Sequence, residues 1–198
     1  MDQTLRQRLI DMVEEARRMR NALAADGSLF VGYNDTMRAT HNAHARSLAD
    51  IVDSQGWPDT ATAGADGAAA AWIIAQHAIG LPRFMRACLE MIEEAAAQGR
   101  VPRWQAALLT DRVRWLEGRP QVYGTQFDWN AAGELVPLPI EDEANVDSRR
   151  ALADLTTMAE GTKQRREEAR QSGETAPGDW AARQADFEAW AKAIGWRS

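Results

Sequence analysis

The sequence predicts a mostly α-helical fold: a single-domain helical bundle with a small β-hairpin or ordered loop pair at about residues 121–140. Apolar residues recur at spacings of three and four through most of the chain, and glycine and proline separate the periodic segments. Residues that favour strands cluster in one short region only. A length of 198 residues is enough for one well-buried core, so we expect the whole chain, 1–198, to form one domain.

Five helices are predicted before residue 119. The first is amphipathic and closes at "DGS", residues 26–28; its apolar positions are Leu5, Leu9, Met12, Ala16, Met19 and Leu23. The second runs from about residue 36 to 55 and stops before "GWP". "ATAGADG" is interpreted as a loop that leads into the third helix, "AAAAWIIAQHAIG". Pro82 and Pro102 open the fourth and fifth helices, and each of these ends at a glycine.

The rest of the chain combines a hairpin or loop pair with three further helices. "QVYGTQFDW" and "GELVPLPI", separated by "NAAG", form the predicted hairpin or loop pair. A short helix capped by Asp147 and a charged, exposed helix, "TKQRREEARQ", come next. A linker at about 171–178 precedes a C-terminal amphipathic helix at about 179–195. The large apolar side chains with which this helix can dock are Trp180, Phe187, Trp190 and Ile194.

Charge and cysteine content exclude several classes of function. The formal charge of −6 provides no basic surface for nucleic acid or an anionic membrane, and no segment is long and apolar enough to span a bilayer. The single cysteine, Cys88, has the helical spacing of a buried structural thiol. The charged N-terminal segment lacks the apolar run of a signal peptide, so we expect a cytoplasmic protein. The amphipathic terminal helices provide faces through which the chain could form a homo-oligomer.

Two of the predicted helices carry polar side chains on faces that should be apolar. In the second helix, His41 and His44 share a stripe with aliphatic residues. In the third, which is apolar nearly all round, Gln76 lies beside Trp72 and His77 lies beside an isoleucine. The third helix is therefore expected to be central, with two polar groups inside the protein.

The fifth helix adds an arginine to this set. Arg112 lies inside an arc of tryptophan, leucine and valine, and Asp111 lies at the edge of that arc. Because a buried arginine is costly without partners, a carboxylate, carbonyl groups or a ligand anion must meet it. The polar segment "QVYGTQF" follows, and we expect it to fold back over the third and fifth helices and complete one pocket. The predicted pocket residues are Trp72, Gln76, His77, Asp111, Arg112, Tyr123, Thr125 and Gln126.

These residues resemble a bacterial domain family of unknown function. Its pattern is "GWP", an alanine-rich helix that ends in "QH", then "LTDR" and "Q.YGTQ". This chain carries the motifs in that order, at residues 56–58, 76–77, 109–112 and 121–126. The later stretch "LPIED...VDSRR" is also similar, so the resemblance covers about residues 41–152. Relatives tend to have an aspartate soon after the histidine, whereas Ile79 and Gly80 stand there in this chain. The family has no assigned reaction, so the resemblance supports the choice of residues and implies no chemistry.

Three functions are compatible with the sequence. In the first, the protein is an enzyme that acts on a small polar or anionic substrate. His77 would be the general acid/base and Asp111 would orient it or share the proton transfer. Arg112 would hold a carboxylate or phosphate, and Tyr123 and Gln126 would position the substrate. The second function is a binding module that holds a small anion without turning it over. The third is a protein–protein interaction module whose polar residues form a structural network.

No nucleophile motif supports the enzyme, since the chain contains no G-x-S-x-G, no P-loop and no G-x-G-x-x-G. No cofactor is predicted. A metal site is the alternative. His41 and His44 are an i, i+3 pair on one helix face, and His77 together with Asp111 could complete a site with them. However, "HNAH" lacks the helical glutamate of H-E-x-x-H, and the chain has only three histidines. We therefore expect a metal-independent protein.

Overall fold

A computed structural model describes residues 1–28 and 34–198 of the chain. These described residues form eight α-helices and one two-stranded antiparallel sheet, and about 70% of the chain is helical. Both strands lie between residues 121 and 140, so the predicted fold class is confirmed. The chain divides into two compact units, Met1–Pro102 and Arg103–Ser198. The single domain expected from the sequence stays a prediction.

The first unit contains four helices. They are α1 (Gln3–Ala25), α2 (Asp35–Gln55), α3 (Thr60–His77) and α4 (Pro82–Ala97). α1 packs on α2 and α3, and α2 packs on α3; a short 3-10 turn, Ala78–Gly80, connects α3 to α4. The hydrophobic face of α1 provides three buried side chains, Leu5, Leu9 and Met12. The apolar stripe predicted for the first helix therefore faces the interior of this unit.

Specific contacts give the directions of the first three helices. The Asn34 side chain at the start of α2 donates to the carbonyl of Ser28 just after α1 (3.1 Å), so α1 and α2 are antiparallel. The Asp2 amide donates to the carbonyl of Thr62 (2.7 Å), and Arg6 forms an ion pair with Asp66. The beginnings of α1 and α3 are therefore adjacent, and these two helices run in the same direction.

α3 begins eight residues before the alanine run that was expected to start it, so the loop predicted for "ATAGADG" is wrong. Asp59 caps the helix by accepting from the amides of Ala61 and Thr62 (3.0 Å each), and the Thr62 hydroxyl accepts from the Asp59 amide. This capping box starts the helix at Thr60. The backbone leaves helical geometry only at Gly64, where φ is +72°. The glycines here mark a break inside a helix, and the cap outweighs their low helix propensity.

The second unit begins with a helix and continues with a hairpin and three further helices. They are α5 (Arg103–Leu116), β1 (Phe127–Trp129), β2 (Leu135–Pro137), α6 (Val146–Leu152), α7 (Met158–Ser172) and α8 (Trp180–Ala193). β1 and β2 pair with Phe127 opposite Pro137 and Trp129 opposite Leu135. Arg166 on α7 donates to the carbonyl of Leu135 (2.9 Å), which joins α7 to the sheet.

α8 is part of the second unit. The Phe187 ring stacks on Trp115 of α5 with 4.7 Å between ring centroids. Just after α8, Arg197 donates to the carbonyls of Trp115 (2.7 Å) and Leu116 (2.9 Å). At its other end, the Trp180 indole donates to the carbonyl of Trp129 (2.7 Å). The C-terminal amphipathic helix therefore covers the end of α5 and the hairpin.

Cys88 lies on α4 and is completely buried, in agreement with a structural thiol. Burial raises its pKa to about 12, so the thiol stays protonated at neutral pH. None of the described helices has the length and apolar character needed to cross a membrane.

Candidate functional site

The Asp111 loop, residues 121–126, is the polar segment that follows α5. Asp111 is completely buried on α5, and its two carboxylate oxygens accept from four donors of this loop. The donors are the amides of Val122 (2.7 Å), Tyr123 (3.0 Å) and Thr125 (2.9 Å) and the Thr125 hydroxyl (2.9 Å). A buried carboxylate is stabilised by such a set of hydrogen bonds. The segment folds back over α5 by enclosing Asp111. The expected fold-back over the third helix stays a prediction.

Gln121 closes the Asp111 loop through its side-chain amide. Its carbonyl oxygen accepts from the amide of Gln126 (2.6 Å), and its NH2 group donates to the carbonyls of Gln126 (3.0 Å) and Leu138 (2.9 Å). The Gln121 side chain is 1% exposed, so all of these bonds are shielded from water. The first glutamine of "Q.YGTQ" therefore joins the two ends of the loop to each other and to the chain after β2.

Two arginines of α6 hold the carbonyl groups of the same loop. Arg149 donates to the carbonyl of Val122 (2.8 Å), and Arg150 donates to the carbonyl of Tyr123 (2.7 Å). Burial lowers the pKa of Arg150, while the carboxylates of Asp147 and Asp111 act in the opposite direction. The loop amides therefore bind a carboxylate, and the loop carbonyls bind guanidinium groups. These backbone groups, which form no regular secondary structure, find hydrogen-bond partners within the protein.

Steric constraints explain why glycine occupies position 124 of the loop. Gly124 has a φ of +68°, and a Cβ atom there would lie 2.6 Å from Met158 Sδ and 2.7 Å from Ile140 Cδ1. A side chain at this position would combine an unfavourable backbone conformation with a clash. The glycine of "YGT" therefore allows the turn that brings Tyr123 and Thr125, on either side of it, to Asp111.

The other polar residues predicted for the pocket lie around this loop. The Gln126 side chain donates to the Thr125 hydroxyl (3.2 Å), which itself donates to Asp111. Arg112 is partly exposed, and burial of its guanidinium group lowers its pKa to about 10, so it is protonated at neutral pH. The catalytic role of Asp111 and the substrate-binding roles of Arg112, Tyr123, Thr125 and Gln126 stay predictions.

The histidine cavity lies within the first unit, between α1, α2 and α3, and has a volume of about 470 Å³. All three histidines of the chain line it. Among the residues that the structure describes, the lining is Val13, Ala16, Arg17, Arg20, Asn34, Met37, His41, His44, Ile73, Ile74 and His77. The volume is within the range of natural small-molecule sites, and the mixture of apolar walls with a few polar groups is typical of them.

The three histidines have different surroundings. His41 and His77 stack face to face, with 4.6 Å between ring centroids and 3° between ring planes. Burial, together with the nearby His44, lowers the pKa of His41 to about 4, so its ring is neutral at physiological pH. His44 is buried and lies 3.0 Å from a carboxylate oxygen of Glu15. His77, at the last position of α3, is exposed.

Two further predicted site residues precede His77 on α3. Gln76 is buried, and Trp72 is partly exposed one turn earlier. Gly80, the third residue after His77, packs against α2. A Cβ atom at Gly80 would collide with the side chain of Asn42. In this chain, the space that a side chain would need is therefore filled by Asn42.

His77 and Gln76 lie in the first unit, whereas Asp111 and Arg112 lie in the second. Their expected convergence in one pocket stays a prediction. Across residues 1–28 and 34–198, no three His, Cys, Asp or Glu side chains are arranged to hold a metal ion. At the alternative site of His41, His44 and His77, the parallel stacking of two of the rings is unsuitable for a metal, because nitrogen atoms in parallel ring planes do not point at a common centre.

Sequence reasoning missed the contribution of α1 to the cavity. Val13, Ala16, Arg17 and Arg20 line it, at the i, i+3, i+4 and i+7 spacing of one helix face. The sequence does contain a pattern that indicates this face, because Arg17 and Arg20 continue a helical stripe that begins with the apolar residues Val13 and Ala16. It was hidden because the neighbouring stripe with Leu9 is more strongly apolar.

The chain is thus a mostly helical protein with a histidine-lined cavity in its first unit and an aspartate-centred loop in its second. It matches the model of a family of unknown function, DUF6624, over residues 3–169, and it belongs to that family. The match confirms the resemblance to an uncharacterised family and extends beyond the expected 41–152 at both ends, while α8 lies outside it. Comparisons with curated proteins and with solved structures give no significant match.

Proposed function

We propose that the protein is an enzyme that acts on a small anionic substrate by general acid/base chemistry in the histidine cavity. The observation that carries the proposal is the concentration of all three histidines and two arginines around one cavity of about 470 Å³. Histidine is the side chain best suited to exchange protons near neutral pH, and arginine is the side chain best suited to bind carboxylate or phosphate.

His77 is assigned as the general acid/base. Its exposed ring can exchange protons with solvent, and it borders the cavity where a substrate would lie. His41 supports it by stacking. Because the pKa of His41 is about 4, the stacked neighbour is neutral and adds no positive charge that would oppose protonation of His77. Arg17 and Arg20 attract the anionic group of the substrate.

The Asp111 loop serves the fold in this proposal. The four donors on the Asp111 carboxylate are supplied by the loop itself, and that arrangement is complete without a ligand. The interaction-module alternative has less support, because the exposed large hydrophobic side chains among the described residues are limited to Met1, Leu152 and Trp180.

The test combines binding with turnover. A defined set of small carboxylates and phosphate esters is incubated with the protein in D2O buffer and followed by proton NMR for new products or deuterium incorporation. We expect the parent to convert at least one compound or to exchange its protons for deuterium. His77→Gln should do so at least about 100-fold more slowly, which is the usual contribution of general acid/base catalysis. Gln55→Asn, an exposed substitution at the C-terminal end of α2, is the matched control and should keep the parent rate.

Thermal-shift measurements on the same compounds separate the alternatives. Ligands that stabilise the parent and His77→Gln without any conversion would make the protein a non-catalytic anion-binding module. Equal turnover by the parent and His77→Gln would remove His77 from the mechanism. If no compound is converted and none raises the midpoint, the proposed function is wrong for these substrate classes.

A further inference from the structure

The histidine cavity has two chemically different ends, and the helix directions define them. The Asp2–Thr62 hydrogen bond and the Arg6–Asp66 ion pair both join residues whose numbers differ by sixty. The same offset places Val13 of α1 level with Ile73 of α3. It places Arg17 level with His77, where α3 ends.

Because α2 is antiparallel to α1, the order of the α2 residues along the cavity can be deduced. His44 is level with Glu15, because their side chains are 3.0 Å apart. From there α2 runs back towards Asn34, whose side chain contacts the carbonyl of Ser28 beyond the end of α1. Past the end of α3, the lining therefore continues with Arg20, Met37 and Asn34.

Along the cavity, the side chains change from apolar to cationic. One end is lined by Val13, Ala16, Ile73 and Ile74. His44, which pairs with Glu15, borders this end, and the stacked His41 and His77 rings lie in the middle, level with Arg17. The other end carries Arg20. The Arg17 side chain is 70% exposed and its ion pair with Glu14 is long, at 3.7 Å. The guanidinium group of Arg17 is therefore at the surface and weakly held.

We infer that the substrate is an amphipathic anion: a carboxylate or phosphate head on an apolar chain or ring. The inference rests on the proposed function and specifies its substrate class. The head lies at Arg20, with Arg17 beside it at the level of the stacked histidines. The apolar body lies between Val13 and Ile73.

The expected binding free energy is more favourable for an amphipathic anion than for a small polar anion. Ion pairs with exposed arginines are weak and screened by salt, so Arg17 and Arg20 alone cannot hold a compact anion tightly. An apolar chain adds affinity by leaving water, by about fourfold for each buried methylene group. In a cavity with mostly aliphatic walls at one end, the tail supplies affinity and the arginines supply orientation.

The experiment compares ligands that differ in one feature. Isothermal titration is carried out with acetate, butanoate, octanoate, octyl phosphate and octan-1-ol on the parent protein. We expect affinity to rise with chain length, by about two orders of magnitude between butanoate and octanoate at fourfold per methylene. Octanoate and octyl phosphate distinguish the two head groups, and octan-1-ol reports on the tail without a charge.

Three variants assign the two ends of the cavity. Arg20→Gln should weaken octanoate at least about threefold at low salt and leave octan-1-ol unchanged, which corresponds to one exposed ion pair. Arg18→Gln is the matched control, because Arg18 is an exposed arginine of α1 that does not line the cavity. Ala16→Phe fills the apolar end and should reduce binding of all eight-carbon ligands.

Each outcome supports or overturns the inference. Equal affinities for acetate and octanoate would reject the apolar subsite while leaving the proposed acid/base function on small anions intact. Octanoate binding that is unchanged in both Arg20→Gln and Ala16→Phe would place the ligand elsewhere and overturn the inference. No binding of any eight-carbon ligand would also overturn it, and the His77→Gln turnover test would then decide the proposed function separately.

Discussion

Asp111 is the residue whose surroundings are most completely defined by hydrogen bonds. It accepts from three backbone amides and one hydroxyl of the Asp111 loop, and it is 0% exposed. Hydrogen bonds from backbone to a carboxylate are stronger than those between neutral groups, and here they are buried away from the surface. A loop of six residues can therefore keep one conformation without regular secondary structure.

The first prediction concerns Asp111→Asn. The substitution replaces a carboxylate oxygen by an NH2 group that faces other donors, so at least two loop donors lose their acceptor. We expect the free energy of unfolding to fall by about 3 kcal/mol, as measured by urea denaturation. Asp186→Asn, at an exposed position on α8, should change it by less than about 0.5 kcal/mol. A loss for Asp111→Asn no larger than that of the control would contradict the structural role of this carboxylate.

The second prediction follows from the depressed pKa of His41. It is about 4 in the folded chain against an ordinary value of 6.5, so between these pH values the unfolded chain binds a proton that the folded chain does not. The free energy of unfolding should therefore decrease as pH falls through this window, by up to about 1.4 kcal/mol per pH unit from this group. His41→Phe keeps a flat ring against His77 and removes the titration, so its stability should depend less on pH.

Urea denaturation at pH 7, 6, 5 and 4.5 checks this second prediction. The difference between the two proteins cancels the titration of carboxylates that both share. If His41→Phe loses stability as steeply as the parent over this range, then His41 titrates normally and is not desolvated in the fold.

Among the elements, α8 is the one that the family match does not include, since that match ends at residue 169. Its contacts are nevertheless specific. Phe187 stacks on Trp115, and Arg183 and Gln184 both bind the carboxylate of Asp128 at the start of the hairpin. A helix held by an aromatic stack and by charged hydrogen bonds at separate points is expected to be a stable part of its unit.

The third prediction is that Phe187→Ala destabilises the protein. Phe187 is partly exposed, so the loss should be below that of a fully buried phenylalanine, at about 2 kcal/mol of unfolding free energy. Hydrogen exchange of α8 amides should also become faster. Asp186→Ala, the adjacent exposed position, is the control. Unchanged exchange in α8 after Phe187→Ala would mean that the Trp115 stack does not hold the helix.

At the scale of single elements, the sequence predicts those helix boundaries that are set by nearby proline and glycine residues. Pro82 opens α4 and the fifth helix follows Pro102, because proline fits the first turn of a helix and glycine fits the residue after its end. It fails at α3, where a capping box outweighs a glycine-rich stretch. The loop around Asp111 was predicted as a polar fold-back over α5, but its bonds depend on contacts between residues 11 to 14 positions apart.

The histidine cavity was harder to predict for a physical reason. The sequence places His41, His44 and His77 on interior-facing stripes, and it groups them only as a metal alternative. Whether rings from two helices stack or converge depends on the offset and distance between helices, which periodicity does not contain. The arginines of α1 were missed because their helix was interpreted as an amphipathic surface only.

At the scale of the whole molecule, the fourth prediction is that stability does not depend on a metal ion. The stacked rings of His41 and His77 direct their nitrogens in parallel planes, which is unsuitable for a shared tetrahedral centre. EDTA should leave the thermal midpoint unchanged, and elemental analysis of purified protein should find less than one transition metal per chain. One tightly bound metal per chain would instead support a site at His41, His44 and His77.

The last prediction concerns the cooperativity of unfolding. Contacts divide the chain at Pro102, but the family match runs through that point from residue 3 to 169, so the two units belong to one evolutionary module. We therefore expect the chain to unfold in one transition, as a single domain does.

At about 0.7 kcal/mol per residue, the unfolding enthalpy of a 198-residue cooperative unit is about 140 kcal/mol near 60 °C, whereas either unit alone would give about 70 kcal/mol. Differential scanning calorimetry distinguishes these cases, because the van't Hoff enthalpy reports the size of the cooperative unit. A van't Hoff enthalpy equal to the calorimetric one supports a single domain; a value near half of it, or two resolved peaks, would mean that Met1–Pro102 and Arg103–Ser198 unfold independently.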